Sequence, residues 1–431
     1  MSVRNHTIPE TAKFWFSLDN AAKIFPAIIT KEVTTVFRLT AVLKQPVNIK
    51  ALREAMLKAE RRFPYYKVQL KKGFFWYYLE HLPRHIPIEA DDQPCCRKFS
   101  KGELLIRILV KNNNISIEFS HILTDGGGAF EFLKTVLVLY ARAYGRAIPE
   151  EYDYSNPEEE ISEEEYEDAY KRYFKENIPP TLKKTKAFHL PFALKPPPRF
   201  ERLNVIFSME QIKKLAGDKE VSITVYLVSV YLFTLQDIYE NLGTFRKYKK
   251  NKVLRIQVPI NLRKIFSSKT MRNFSLFVMP EIDLRLGHYT FDEILKTVYH
   301  QIQLETDEKL INKNLSRNVG SERKIYVRSI PLFIKSLILS AKYNALGPGQ
   351  YSGVVTNLGK AKLPEITGSL ADYFIFTPPP PNEILKINCG IIGYADKLVM
   401  SFGNITHSRV FEQKFLKFLR DRGIEVKPEE N

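Results

Sequence analysis

His121-Ile-Leu-Thr-Asp125-Gly126 puts an imidazole and a carboxylate four residues apart, with the run Gly126-Gly127-Gly128 closing the segment. Histidine is the side chain whose ordinary pKa suits it to accept a proton near neutral pH. A carboxylate held nearby can fix local geometry or enforce one tautomer. The pairing suits deprotonation of a hydroxyl or amine for attack on an acyl group.

Two plainer readings stand beside that one. Asp125 could be the N-cap of a following helix, with His121 a satisfied core histidine. The two residues could also be a metal pair on one helical face. The glycines and the strand before them argue against helix at 121–125, and no further ligand cluster is evident, so no metal is expected. The placement itself is informative. Asn114 to His121 reads as a strand paired with Leu104 to Val110 through Lys111-Asn112-Asn113. On it Ile115, Ile117, Phe119 and His121 share one face, so His121 continues a buried row. Ala129 to Tyr144 then reads as a helix with Gly145 as its stop.

The elements that must hold this turn follow from periodicity. Thr34 to Leu43 reads as a strand and Val47 to Glu60 as an amphipathic helix. Tyr65 to Leu70 and Phe74 to Leu79 read as a strand pair. Pro179-Pro180 and Pro196-Pro197-Pro198 favour an extended crossover. The expected organisation is a first lobe over residues 1–178, a linker over 179–200 and a second lobe over 201–431. In the second lobe, strands are expected at Leu203–Ser208, Leu254–Ile260, Phe274–Leu284, Gly353–Asn357, Ile384–Tyr394 and Leu398–Ile405. Helices are expected at Ser222–Leu235, Phe291–Glu308, Pro331–Tyr343 and Arg409–Asp421. Both halves mix helices and strands, which predicts two related α/β lobes.

The length of 431 residues exceeds one ordinary core. A hydrophobic share of 44% and a charged share of 26% fit a globular chain. Cys95, Cys96 and Cys389 make no disulfide framework and fit a reducing, cytoplasmic setting. The N-terminus carries no secretory pattern. Ile330 to Leu339 comes closest to a bilayer span, but it is short and carries Lys335. Net charge is +17. Glu150 to Asp168 holds eleven acidic residues, which leaves 65 basic against 37 acidic side chains elsewhere. So basic a body favours anionic partners, among them a phosphorylated co-substrate, an acidic protein or anionic lipid. Its densest stretch, Phe245 to Lys252, could grip phosphates through Lys247, Lys249 and Lys250, or be an exposed loop. No nucleic-acid module accompanies it, so no nucleic acid is expected, and membrane contact is expected to be peripheral at most.

The turn, its preceding strand and the two mixed halves resemble the coenzyme A-dependent acyltransferase superfamily. That superfamily includes chloramphenicol acetyltransferase, peptide-synthetase condensation domains and alcohol acetyltransferases; the microbial alcohol acetyltransferase-like proteins are the nearest in look. The resemblance implies an α/β, α+β-sandwich fold of two pseudo-related lobes with a tunnel between them. It implies acyl transfer from acetyl-CoA or another acyl-CoA to a small alcohol or amine, with no permanently bound cofactor. Carried over by motif, His121 is the base, and Asp125, beside Gly126, is a structural carboxylate. Arg263, ending Pro259-Ile-Asn-Leu-Arg263, is expected as its ion-pair partner. Ser352, Thr356 and Asn357 are candidates for the tunnel wall, Thr356 for stabilising an oxyanion. Asn273 of Met271-Arg272-Asn273-Phe274 is expected to be structural. Condensation domains usually carry a second histidine where this chain has Ser120, and the plant branch's Asp-Phe-Gly-Trp-Gly is reduced to Ser401-Phe402-Gly403-Asn404. Two other functions remain open: a condensation or acyl-transfer enzyme served by an acidic carrier protein, and a catalytically silent binding protein of the same fold.

Overall fold

The computed structural model describes residues 14–146, 154–180, 184–243, 250–363 and 369–429. Three sheets organise them. The first has five strands in the order β13–β2–β7–β6–β5, namely Ala371–Thr377, Val36–Leu43, Asn114–Ser120, Ile106–Lys111 and Ile88–Ala90. A three-stranded sheet beside it joins β1 (Trp15–Ser17), β4 (Tyr77–His81) and β3 (Val68–Lys72). The third runs β10–β9–β12–β14–β15–β8–β16: Ser275–Val278, Val253–Asn261, Gly353–Lys360, Ile387–Tyr394, Lys397–Asn404, Glu201–Ser208 and Val426–Pro428. There β11 (Glu281–Asp283) also pairs with β9.

The helices before the proline-rich crossover are α1 (Phe25–Ile28), α2 (Ile49–Arg62), α3 (Gly126–Ala143) and α4 (Ala169–Arg172). Then come α5 (Met209–Gly217), α6 (Ile223–Glu240), α7 (Phe291–Glu305), α8 (Glu308–Arg323), α9 (Ile325–Ser329), α10 (Leu332–Leu346) and α11 (Val410–Arg420). Each half has its own apolar core. In the first, α2 and α3 cover the five-stranded sheet, with Leu52, Phe119, Phe132 and Val136 fully buried. In the second, α6 and α11 cover the large sheet through Leu232, Leu235, Phe411 and Phe415.

Chain order and lobe do not coincide throughout. β13 lies in the stretch assigned to the second lobe, yet it pairs antiparallel with β2, Phe374 opposite Ala41. It supplies an edge strand whose Phe374 and Phe376 enter the first core. The described part of the proline-rich crossover has no helix or strand, but it is docked: Phe188 is buried in the second core and its N–H donates to the Val253 carbonyl at 2.8 Å. The strand expected over Phe274–Leu284 is two strands. Pro280 interrupts it, since proline has no N–H for a ladder. The helix expected over Phe291–Glu308 stops at Glu305, where Asp307 caps α8 through the N–H groups of Lys309 and Leu310.

The face of β7 opposite the His121 row is also buried, by charge instead of hydrocarbon. Glu118 Oε1 accepts from Arg38 Nε at 3.0 Å, Arg38 Nη2 at 2.7 Å and the Cys96 N–H at 2.6 Å. Oε2 accepts from Arg107 Nε at 2.7 Å. Burial pushes this carboxyl up, but the two guanidiniums and the N–H outweigh it and hold it below its ordinary value. Cys95, Cys96 and Glu118 bring their ligand atoms within 4.8 Å of one another. With the carboxylate committed to the arginines, the cluster reads as a salt-bridge site. Replacing Glu118 with Ala takes the counter-ion from buried Arg107 and leaves buried Arg38 with Asp91 alone, so unfolding free energy should fall by about 3–5 kcal/mol. A urea midpoint within error of the parent would refute this.

Candidate active site

The turn after β7 is set by one residue. Asp125 is extended at φ −97° and ψ 178°, and its Oδ1 accepts from the Gly127 and Gly128 N–H groups, both at 3.0 Å. This caps α3. Its Oδ2 accepts from the Phe274 N–H at 2.7 Å and from Arg263 Nη1 at 2.9 Å. Burial would raise the Asp125 pKa, but Arg263 and these N–H donors hold it below the usual carboxylate range. Arg263 is steered by Asn261 Oδ1 at 3.2 Å and by the Thr270 carbonyl at 2.7 Å, and it also donates to the Arg272 carbonyl. One guanidinium therefore ties the start of α3 to the loop between β9 and β10.

The glycines allow that close approach. A Cβ at Gly128 would collide with the Met271 carbonyl oxygen and Thr124 Oγ1, and one at Gly126 would lie 2.7 Å from Leu358 Cδ2. All three glycines belong to the first turn of α3, ahead of the expected start at Ala129.

His121 sits between aromatic rings, 5.3 Å from the Phe25 centroid and 4.7 Å from that of Phe37. Its N–H donates to the Thr35 carbonyl at 2.9 Å. Its Nδ1 lies 3.4 Å from Asn273 Oδ1. The Asn273 amide is oriented by its other end: Nδ2 donates to the His121 carbonyl at 2.9 Å and to Asp19 Oδ2 at 3.0 Å. With the amide oxygen turned to the ring, Nδ1 carries the proton and Nε2 holds the lone pair. Burial lowers the His121 pKa, and the Asp125 charge and Asn273 bond only partly offset it. The surroundings therefore favour the neutral ring. Asp19 is fully buried, and burial pushes its pKa up to about 6 against the pull of Arg272.

Asp19 was not legible as a site residue. Its sequence signal is that of a helix cap, for the Ala22 N–H. Nothing in the spacing links it to position 121 through position 273.

A channel of about 2660 Å³ separates the two halves. His121, Gly126 and Gly127 border it from the first lobe, Thr356 and Asn357 from β12. The Thr356 hydroxyl bonds to no described residue, while Asn357 is engaged by Thr224 Oγ1 at 3.0 Å and the Gly359 N–H at 2.8 Å. Ser352 is misassigned to the wall. It is buried off the channel, where its Oγ accepts from the Arg255 N–H at 3.2 Å. Period-two alternation along β12 explains why Thr356 reaches the channel, but Ser352 precedes the strand and is claimed by β9. Of the expected phosphate-binding lysines, Lys247 and Lys249 lie outside the described residues. Lys250 is exposed and does not border the channel. Basic side chains that do border it include Lys264, Lys269, Lys313 and Arg317.

No family model matches this sequence, and neither does any curated protein sequence. Solved structures do. F. graminearum TRI101 complexed with coenzyme A and T-2 mycotoxin matches with a TM-score of 0.63 at 9% identity, over 96% of this chain and 99% of that one. The chain has the two-lobed chloramphenicol acetyltransferase-like fold. The same fold is seen in the trichothecene 15-O-acetyltransferase TRI3 of Fusarium sporotrichioides, TM-score 0.57 at 11% identity, over 97% and 96% of the two chains. The epimerization domain from the third module of tyrocidine synthetase B matches with a TM-score of 0.57 at 10% identity, over 95% of each. At these identities the chloramphenicol acetyltransferase-like fold is what the chains share.

Proposed function

We propose that this protein transfers an acyl group, most simply acetyl, from a coenzyme A thioester to an alcohol or amine. The observation that carries the reading is the His121 imidazole bordering an inter-lobe channel, with its Nδ1 3.4 Å from Asn273 Oδ1. Nε2 takes the proton of the acceptor O–H or N–H as the heteroatom attacks the thioester carbonyl. The oxyanion then collapses, the C–S bond breaks, and the imidazolium returns its proton to the departing thiolate. No covalent acyl-enzyme forms. Thr356, with its unclaimed hydroxyl on the opposite wall, is the proposed oxyanion donor. Lys264, Lys269, Lys313 and Arg317 are proposed to meet the phosphates of coenzyme A. Ser120 supports this over carrier-served condensation: it is buried, and its Oγ accepts from the Ile122 N–H at 3.3 Å, so it offers no second imidazole.

The direct test is release of free thiol from acetyl-CoA over a panel of alcohols and amines. Acceptor-dependent release supports the reading; no release with any acceptor, beside tight binding of a protein partner, would turn it into a binding protein. The pH profile is a further expectation. His121 must be unprotonated to act, and burial lowers its pKa from 6.5. The acid limb of kcat/KM should therefore fall below pH 6.5, and a limb at or above that value would contradict the environment described here.

A further inference from the structure

α10 is built inside out. A helix on a watery surface normally turns its apolar stripe inward and its lysines outward. Here a lysine, Lys335, is buried beside Leu332, each 3% exposed. Its Nζ sits 3.5 Å from the Trp76 ring centroid and donates to the Phe75 carbonyl at 3.0 Å. Facing out are Phe333, Ile334, Leu337, Ile338 and Ala341, which share one apolar face of the helix. Leu337 is 71% exposed.

Neighbouring elements extend the face. α9 exposes Ile325 at 81%, with Tyr326 beside it, and the turn before β4 exposes Phe74 at 71%. The Leu332 N–H donates to the Phe74 carbonyl at 2.9 Å, which places that turn against the start of α10. Single exposed leucines are ordinary, but a contiguous patch of this kind marks an interaction surface.

Two observations select what covers it. From Arg323 to Tyr343 the chain carries no acidic residue and five basic ones, of which Lys335 is the buried one described above. Lys324 and Arg328 are exposed at α9. Aromatic and aliphatic side chains rimmed by lysine and arginine match the boundary between lipid headgroups and acyl chains. The second observation is continuity with the channel. Ile338 lies on the exposed face and also borders the channel, as do Tyr326, Ile330, Leu339 and Tyr343 from the same segment. No helix among the described residues is long and apolar enough to cross a bilayer.

We propose that the α9–α10 face docks on an anionic lipid surface, and that the acyl acceptor is an amphiphile drawn from that surface into the channel. The docking is independent of the chemistry at His121, while the acceptor class rests on the acyl-transfer reading.

The test floats the full chain with vesicles of phosphatidylcholine, and with vesicles that also contain phosphatidylserine. Partition onto the phosphatidylserine vesicles should be about tenfold stronger and should weaken with salt. F333S/L337S should lose about tenfold or more of that partition with its melting curve unchanged. K324E/R328E should lose only the part that depends on phosphatidylserine. Equal partition of parent and F333S/L337S would overturn the docking. So would a dimer, seen by light scattering, that F333S/L337S dissolves, because a second copy would then cover the face. The acceptor class is read separately from acetyl-CoA thiol release. F333S/L337S should slow transfer to a vesicle-borne long-chain alcohol about tenfold, while transfer to a short soluble alcohol stays unchanged. Equal slowing of both would overturn the acceptor class. Absence of turnover with either alcohol beside intact vesicle binding would overturn the acyl-transfer reading and leave the docking standing.

Discussion

His121→Ala should lower the rate of thiol release by about 10² to 10⁴-fold while the protein stays folded. The imidazole borders the channel, and the polar groups that meet its ring are Asn273 Oδ1, 3.4 Å from Nδ1, and the Thr124 backbone. The backbone bonds that hold position 121, from its N–H to Thr35 and from Asn273 to its carbonyl, do not involve the ring. Phe25 and Phe37 lose a neighbour, so melting should shift by a few degrees at most. The loss belongs in kcat, because a base acts on the acceptor proton in the transition state and the proposed phosphate contacts, Lys264, Lys269, Lys313 and Arg317, are other side chains. Steady-state kinetics beside a thermal melt separate the two effects. A folded His121→Ala protein that turns over like the parent would remove His121 from the mechanism. A variant that fails to fold would show the ring to be a packing residue.

The part of this site that the sequence carried is local. The strand, the turn and the glycine run predict where His121 and Asp125 stand, because strand alternation and helix capping act over a few residues. At Asp125 the plain reading and the functional one turn out to be compatible. One carboxylate oxygen caps α3 and the other meets Arg263. What stayed hidden is the long-range half. Asp19 and Asn273 meet only because the first strands and the β9–β10 loop converge on one turn, and β13 joins the first sheet from far along the chain. Ser352 and Lys250 went astray for a related reason. Residue type named a chemistry for them, but the neighbouring backbone decides whether a side chain faces a channel. α10 is the sharpest case. The sequence placed a helix over Pro331–Tyr343, and Lys335 argued against a membrane span. The fold then turned the lysine inward and the hydrocarbon outward, a choice made by Trp76 and Phe75 some 260 positions away.

The second large effect is expected at the ion pair that joins the lobes. Arg263→Ala leaves Asp125 buried with its charge and three backbone N–H donors but no counter-ion. Removing one partner of such a pair lowers stability by about 3–5 kcal/mol. Asp125→Ala should match or exceed this, since it also removes the α3 cap, worth about 1 kcal/mol. The double variant should lose less than the two singles together, and the difference in a denaturation cycle measures the coupling. The pH dependence has a definite sign. The folded-state pKa of Asp125 lies below the ordinary 3.8. Its contribution is therefore complete above that ordinary value and lost as pH falls through the folded one, so Arg263→Ala should flatten the acid limb of the stability curve. Activity should fall as well, through geometry. Arg263 grips the carbonyls of Thr270 and Arg272, and the next residue is Asn273, whose amide sets the tautomer of His121. Loosening that loop should lower kcat more than it raises the KM for acetyl-CoA. Arg263→Lys, which restores charge without the forked geometry, should recover more stability than rate. If Arg263→Ala instead loses under about 1 kcal/mol and keeps its full kcat, the lobes are joined by something other than this pair.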